Sequence, residues 1–250
     1  MVGVLVAVIV SGLLTAIAAL LGYVGWQART RRHALLSLPA LTSAQLATAV
    51  HRSGVVAAAH IGRAEGFGAP LTAPFSGRPC VWYRVQVLRN VRTSAGDGSP
   101  AARRTEMAAQ RRSPRPIVLR DASGPVVFHL DGMDVDAPEL SYRAGTGPGA
   151  PVRADMAAWL PPGTLPTAGG YTFQEWLVPP GQPLPALGQA TFEGPALAMR
   201  KPARGAFLLS TRSRQELTRR EWSTQVWRLA LAPALAGVAL LLVVLAALLA

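Results

Sequence analysis

The chain has 250 residues, one cysteine, and 25 Lys and Arg against 13 Asp and Glu, which gives a net charge of +12. The single cysteine excludes a disulfide framework, and no G-X-Y period or sustained heptad supports a collagen-like or coiled-coil protein. Residues 1–26 and 229–250 contain no Asp, Glu, Lys, Arg or His. Ordinary soluble enzymes do not sort their charges in this way, so the composition favours a membrane protein.

The two uncharged runs predict transmembrane helices. Roughly 20 apolar residues cross the hydrocarbon core as a helix, and backbone amides in lipid must be paired within the segment. A cleaved signal peptide is the alternative for residues 1–26. No Lys or Arg precedes that run, however, and its positive charges, Arg29, Arg31 and Arg32, follow it, which favours an anchor.

The placement of arginine predicts the orientation. Basic residues follow the first run and precede the second, and neither distal end carries one. The positive-inside rule then predicts a multi-pass protein of the cell membrane, with residues 27–228 cytoplasmic and both termini outside.

The segment between the two runs predicts one domain. Residues 27–53 form a juxtamembrane segment with a short helix, which Thr42 or Ser43 caps and Gly54 ends. Residues 54–212 predict a β-rich domain, because Val81–Arg92 alternates apolar and polar side chains and Gly and Pro separate further short apolar runs. The predicted fold class is a membrane protein in which two transmembrane α-helices flank one β-rich α+β soluble domain.

Two stretches interrupt the predicted strands. Residues 93–116 are polar and predict a mobile basic loop, and residues 144–170 predict an Ala/Gly/Pro-rich linker. A capping box at Ser213 and Glu216 predicts a connecting helix over residues 213–228 that continues into the helix predicted for residues 229–250.

The chain has few residues of the types that bind metals or act as nucleophiles. Cys80 and the four histidines lie at no zinc-ligand spacing, and a two-zinc module needs about eight ligands. The acidic run Asp131–Glu139 lacks the spacing of a calcium loop and predicts a solvated turn. We therefore predict no metal, no cofactor and no catalytic residue. Whether Cys80 is a reactive thiolate beside Arg78 and Arg84 or a buried thiol stays open.

The segment from Arg89 to Arg120 holds eight basic residues and two acidic ones. Such a surplus favours an anionic partner, and lipid headgroups are one class; a merely solvated loop is the alternative. Nucleic acid is not predicted, because the loop has no aromatic side chain for base stacking. The residues predicted for lipid contact are Arg103, Arg104, Arg111, Arg112 and Arg115.

Three stretches resemble the GIDE domain, also called the beside-a-membrane domain: PLTAPFSGRPCVWYR (70–84), EWLVPPGQPLPALGQA (175–190) and FLLSTRSRQELTRREWSTQVW (207–227). In eukaryotes this family comprises mitochondrial membrane ubiquitin ligases, so the resemblance implies a link to ubiquitin transfer. Those ligases carry a catalytic RING module, which the Cys and His of this chain are too few to form. Because 24 of the 25 basic residues are Arg, we expect a bacterial member of a RING-less type.

The resulting hypothesis is a two-pass membrane protein that presents a non-catalytic GIDE-like interaction domain, as a scaffold or accessory protein for an unidentified protein partner at the lipid bilayer. One alternative is a member of the ubiquitin-protein ligase lineage whose RING is supplied by another chain, and another is a sensor of anionic lipid. The candidate interaction loop comprises Leu71, Phe75, Gly77, Arg78 and Pro79. The family positions to which we assign a structural role are Cys80, Tyr83, Glu175, Gly181 and Gly188.

Overall fold

A computed structural model describes residues 12, 16–17, 19–20, 22–23, 38–93, 102–147, 149–152, 154–160, 170–213, 215–217 and 219. The chain divides into two units. One comprises Met1–Pro39, Arg204–Ala206 and Ser213–Ala250, and the other comprises Ala40–Ala203 and Phe207–Arg212. All the strands described below and the candidate site lie in the second unit.

Helix α1 (Ser43–Ser53) begins with a capping box and confirms the short helix predicted before Gly54. The Thr42 hydroxyl accepts a hydrogen bond from the Gln45 amide, and the Gln45 side chain accepts one from the Thr42 amide. Gly54 ends the helix at a φ of 75°. Leu46 and Val50 are buried on its inner face. A second helix, α2 (Ala154–Ala157), is a single turn.

Twelve strands lie within the described residues. In chain order they are β1 (Val56–Gly66), β2 (Leu71–Thr72), β3 (Pro79–Cys80), β4 (Trp82–Thr93), β5 (Ala102–Arg112), β6 (Ile117–Asp121), β7 (Gly124–Phe128), β8 (Glu139–Gly145), β9 (Tyr171–Val178), β10 (Pro183–Glu193), β11 (Ala196–Arg200) and β12 (Leu208–Leu209).

The larger sheet has the strand order β1-β6-β7-β11-β10-β12, and β1 also pairs with β10. Five of its strands, β1, β6, β7, β11 and β10, therefore form a closed ring, which protects edges that would otherwise attract other chains. The ring encloses the main core, in which Trp82, Phe128, Leu184 and Met199 are fully buried. Helix α1 contributes Leu46 and Val50 to the same core.

The smaller sheet has the order β5-β4-β9-β8, and every neighbouring pair is antiparallel. Side chains alternate across it, as the pattern of β4 predicts. Val85, Val87 and Phe173 are buried on one face, whereas Arg84 and Gln86 on the other are only partly covered.

The membrane prediction needs correction. No helix among the described residues is long and apolar enough to cross a membrane. Helix α1, with 11 residues, rises about 16 Å, against a hydrocarbon core of about 30 Å. The predicted fold class with two transmembrane helices, and the multi-pass location in the cell membrane, are therefore wrong, and the observed fold is β-rich. All of residues 229–250 and most of residues 1–26 lie outside the described residues.

The basic loop predicted for residues 93–116 is also corrected. Strand β4 reaches Thr93, and β5 pairs with it from Arg84↔Arg112 to Thr93↔Ala102. A polar sequence forms this hairpin because pairing to β4 supplies partners for its backbone groups while the long arginine side chains reach water. Residues 94–101 lie outside the described residues.

The predicted linker over residues 144–170 contains the end of β8 and helix α2, and residues 161–169 lie outside the described part. Ser213 and Glu216 exchange capping hydrogen bonds, from the Ser213 amide to Oε2 at 2.9 Å and from the Glu216 amide to Oγ at 3.2 Å. Most of the helix predicted after them, including residues 220–228, lies outside the described residues.

Candidate interaction site

Glu175 is a fully buried acidic residue in the middle of β9. Its carboxyl group accepts hydrogen bonds from the amides of Phe75 at 2.6 Å and Ser76 at 3.2 Å, and from the hydroxyls of Ser76 at 2.5 Å and Ser141 at 2.7 Å. A buried carboxyl group without such partners would be costly to the fold, so these donors explain its place there. The contact joins β9 to residues about 100 positions earlier in the chain.

The residues that Glu175 holds form a tight loop between β2 and β3. These strands pair Leu71 with Cys80 and Thr72 with Pro79, and we call residues 71–80 the latched loop. Inside it, the Ala73 amide donates to the Arg78 carbonyl at 2.9 Å, and Gly77 adopts a φ of 67°, which suits a residue without Cβ. This folding directs the amides of Phe75 and Ser76 towards β9.

Phe75 packs inward, although the sequence analysis includes it in the candidate interaction loop. Its ring centroid lies 5.5 Å from that of Trp159, 5.6 Å from Tyr142 and 5.9 Å from Phe173. The edge-to-face pairs with Trp159 and Phe173 contribute beyond the buried area alone. Trp82, two residues after the loop in the chain, is wholly buried in the main core. Phe75 therefore anchors the latched loop.

The outer side of the latched loop is polar and exposed. Thr72, Pro74, Gly77, Arg78 and Pro79 are all exposed. Arg78 Nη1 lies 2.5 Å from Glu139 Oε1, and this ion pair raises the pKa of the guanidinium above its usual value. Leu71 is half-buried and packs against Cys80 and Leu177.

Cys80 is a buried thiol. Only 2% of it is exposed, and burial, together with the nearby Glu175, raises its pKa to about 11. The pKa of Tyr83 is raised in the same way, first by burial and then by the neighbouring Cys80. Because nucleophilic attack needs the thiolate, this environment suits Cys80 to packing.

The remaining family positions, Gly181 and Gly188, serve the backbone. Gly181 has a φ of 79°, and its amide donates to the Ala64 carbonyl at 2.7 Å. A Cβ at Gly188 would lie 3.0 Å from the Arg200 carbonyl oxygen. Gly181 therefore permits a backbone conformation that disfavours other residues, and Gly188 allows close contact between strands.

The acidic run is distributed among separate partners. Asp131 and Gly132 have φ of 47° and 82°, and the Met133 amide closes their turn onto the Leu130 carbonyl. Each acidic side chain then bonds elsewhere: Asp131 to the Lys201 amide, Asp134 to Arg84 and Arg112, Asp136 to the Ser210 hydroxyl, and Glu139 to Arg78. In the described part of the chain, no group of three or more His, Cys, Asp or Glu could hold a metal ion.

The predicted lipid-contact arginines do not converge on one point. The Arg104 side chain is 76% exposed and lies 3.5 Å from Glu106, whereas Arg111 lies over the Trp159 ring at 5.3 Å. Arg112 pairs with Asp134, and Arg115 donates to the Ala69 carbonyl at 2.9 Å. The side chain of Arg103 lies outside the described residues.

A cleft of about 360 Å³ lies beside Arg112, Ser113, His129 and Asp131. Both charge signs line it, and Asp131 within it lies 3.5 Å from Arg200. Sequence reasoning did not identify this cleft, because its residues come from the end of β5 and the turn after β7.

Comparison with known proteins gives one match. A family model described as "GIDE: E3 Ubiquitin ligase" matches residues 89–245, which is more than half of the chain. The match includes Glu175, Gly181 and Gly188, whereas the latched loop precedes it. No curated protein and no solved structure matches the chain.

Proposed function

The chain belongs to the GIDE family, which is described as E3 ubiquitin ligase, and we propose that its β-rich unit acts there as a non-catalytic module for binding a partner protein. The observation that carries this proposal is the Glu175 contact. Three hydrogen bonds from Phe75 and Ser76 to one buried carboxyl group, which also accepts one from Ser141 in β8, fix a loop whose outer residues are exposed.

A fixed loop suits binding for an energetic reason. Ordering a loop at an interface reduces the affinity, and a loop that is already ordered avoids that loss. In the latched loop, the packing of Phe75 against Trp159 and the hydrogen bond from the Ser76 amide to Glu175 fix the conformation on the inner side. Thr72, Pro74 and Arg78 remain available to a partner on the outside.

The chemistry of the chain supports binding over transfer of ubiquitin by its own residues. Forming a ubiquitin thioester on this chain would need a reactive thiol, and Cys80, the one cysteine of the chain, is buried with a raised pKa. A two-zinc module needs about eight ligands, and the chain has one Cys and four His.

Photocrosslinking tests the proposal. A photoreactive amino acid replaces Thr72 in the latched loop, and in a matched control it replaces Thr48, an exposed residue of helix α1. We expect discrete protein adducts from position 72 in cells and a clear loss of them when Glu175→Gln is added. The proposal fails if positions 72 and 48 give the same adducts, or if position 72 gives none.

The family match also favours a second candidate, in which the chain takes part in ubiquitin transfer with a RING supplied by another chain. A discharge assay with a ubiquitin-charged conjugating enzyme tests whether the purified protein suffices. The binding module predicts no acceleration by the protein alone. Acceleration that Cys80→Ser abolishes would instead assign the transfer to this chain.

A further inference from the structure

Within the described residues of the second unit, one face of the smaller sheet is open. It carries three cross-strand rows of side chains, and we call it the open face. The first row is Arg112, Arg84, Trp176 and Leu140; the second is Gln110, Gln86, Gln174 and Arg143; the third is Met107, Leu88 and Thr172.

Burial differs sharply between the two sides of this sheet. On the opposite side, Val85, Val87 and Phe173 are at most 1% exposed, and Trp159 and Phe75 pack there. On the open face no side chain of the three rows is buried. Met107 is 57% exposed and Leu140 is 47% exposed. Since antiparallel sheets often have one solvated face, exposure alone assigns no role.

The composition of the open face is informative. The three rows contain Trp, Met, Leu and Arg, and no Lys, Glu or Asp. Protein–protein interfaces are enriched in aromatic residues, Met and Arg, and depleted in Lys, Glu and Asp. A face that served only solubility would carry carboxylates, whereas the absence of lysine follows from the composition of the chain, in which Lys201 is the one lysine.

The charge of the open face indicates the charge of a complementary partner. Arg84 and Arg112 share one carboxylate, that of Asp134, at 2.9 and 3.1 Å. The exposed Arg143 adds a third positive charge to the face. The Arg84 guanidinium also lies 4.5 Å above the Trp176 ring, which holds it in one place. The surplus is positive, so a complementary surface is acidic.

We propose that the open face docks an acidic surface of a partner protein, an inference that rests on the proposed binding function and adds a second contact area to the latched loop. Three rows across four strands span about 20 Å by 20 Å, or about 400 Å². That is about half of what each partner buries in an interface of standard size. We therefore expect weak binding through this face alone, with an affinity that falls as salt is added.

Nucleic acid suits the open face less well. Single strands bind through aromatic side chains on which successive bases stack, together with a basic groove. Trp176 is the one aromatic residue in the three rows, and Arg84 occupies a side of its ring. Lipid vesicles and single-stranded DNA serve as competing probes in the test.

The test uses fluorine NMR of the full-length protein labelled with 5-fluorotryptophan, with resonances assigned by Trp176→Phe and Trp159→Phe. The acidic probe is poly-L-glutamate. We expect the Trp176 resonance to shift on titration while Trp159, on the opposite side of the sheet, stays unchanged. The variant Gln86→Glu with Arg143→Glu should weaken the apparent affinity at least tenfold. The control Thr48→Glu with Arg52→Glu changes the net charge equally on helix α1 and should change the affinity less than twofold.

Three results would overturn the inference: an unshifted Trp176, an equal loss of affinity in the control variant, or a Trp176 shift with a dT20 oligonucleotide or phosphatidylserine vesicles but not with poly-L-glutamate. Thermal melts of both double variants show whether they fold. If the inference fails while Thr72 still gives adducts that depend on Glu175, the proposed function stands without the open face. If those adducts are also lost, the proposed function fails with it.

Discussion

At the residue scale, Glu175 is the side chain on which the latched loop depends. Glu175→Gln keeps the size of the side chain but replaces one acceptor oxygen by an NH2 group. That group is itself a donor and would face the N–H and O–H donors of Phe75 and Ser76. We expect a loss of about 2 kcal/mol in the free energy of unfolding, measured by urea denaturation. Glu139→Gln, which removes the exposed ion pair to Arg78, should change the free energy of unfolding much less, because water screens an exposed ion pair. Equal losses would show that Glu175 is no more important than a surface residue.

The environment of Cys80 makes a second prediction at this scale. A pKa raised from 9.0 to about 11 lowers the thiolate fraction at pH 8 about 100-fold, since each pKa unit is tenfold. Iodoacetamide at pH 8 should therefore label the folded protein far more slowly than the protein in urea, as read by mass spectrometry. Labelling of the folded protein as fast as a free thiol would contradict the assignment of Cys80 as a packing residue.

At the element scale, Gly62 and Gly66 in β1 offer a matched comparison. A Cβ at Gly62 would lie 2.8 Å from the Leu119 carbonyl carbon and 2.9 Å from the Arg120 amide nitrogen. A Cβ at Gly66 would have no heavy atom within 4 Å. Backbone cannot yield as a flexible side chain does. Gly62→Ala should cost about 2–4 kcal/mol, and Gly66→Ala should change stability by less than about 1 kcal/mol. Equal stabilities in urea would refute the close pairing of β1 with β6.

Asp121 connects helix α1 to the hairpin of β6 and β7. Its carboxylate accepts from the Ser43 amide at 2.8 Å and from the Ser123 amide at 2.7 Å. Burial raises the pKa of Asp121, but these hydrogen bonds outweigh it and lower the value from 3.8 to about 2. The carboxylate therefore contributes stability that is fully present above about pH 4 and is lost as the pH falls towards 2.

Asp121→Asn tests this connection. The variant should be about 1–2 kcal/mol less stable than the parent at pH 6, and the difference should shrink between pH 4 and pH 2. Urea unfolding across this pH range measures it. A difference that stays constant over the range would show that the charge of Asp121 contributes nothing.

At the scale of the whole molecule, local patterns predicted local structure. The capping residues of helix α1 and the alternation of β4 follow from neighbouring residues, and both were readable from sequence. Strand β5 was missed because its polar composition resembles a loop, and its pairing with β4 is a non-local property. The two uncharged terminal runs favoured membrane helices, which no described helix supports.

The candidate site was predictable in part for the same reason. The resemblance identified Glu175 and residues 71–80 as belonging together in a family, and the family match confirms the family. Sequence alone assigned Phe75 to the interaction loop and not to the core, because its packing against Trp159 and Tyr142 depends on segments far along the chain. The role of Glu175 as acceptor for Phe75 and Ser76 likewise required the fold.

Hydrogen exchange at the amides of Phe75 and Ser76 tests the central claim most directly, since that claim is that Glu175 fixes the loop through these two groups. We predict protection comparable to that of the β9 amides in the parent protein. In Glu175→Gln, both positions should lose more protection than the β9 amides, whose loss should not exceed the fall in global stability. Exchange of both amides at the rate of an unstructured peptide in the parent protein would contradict the account.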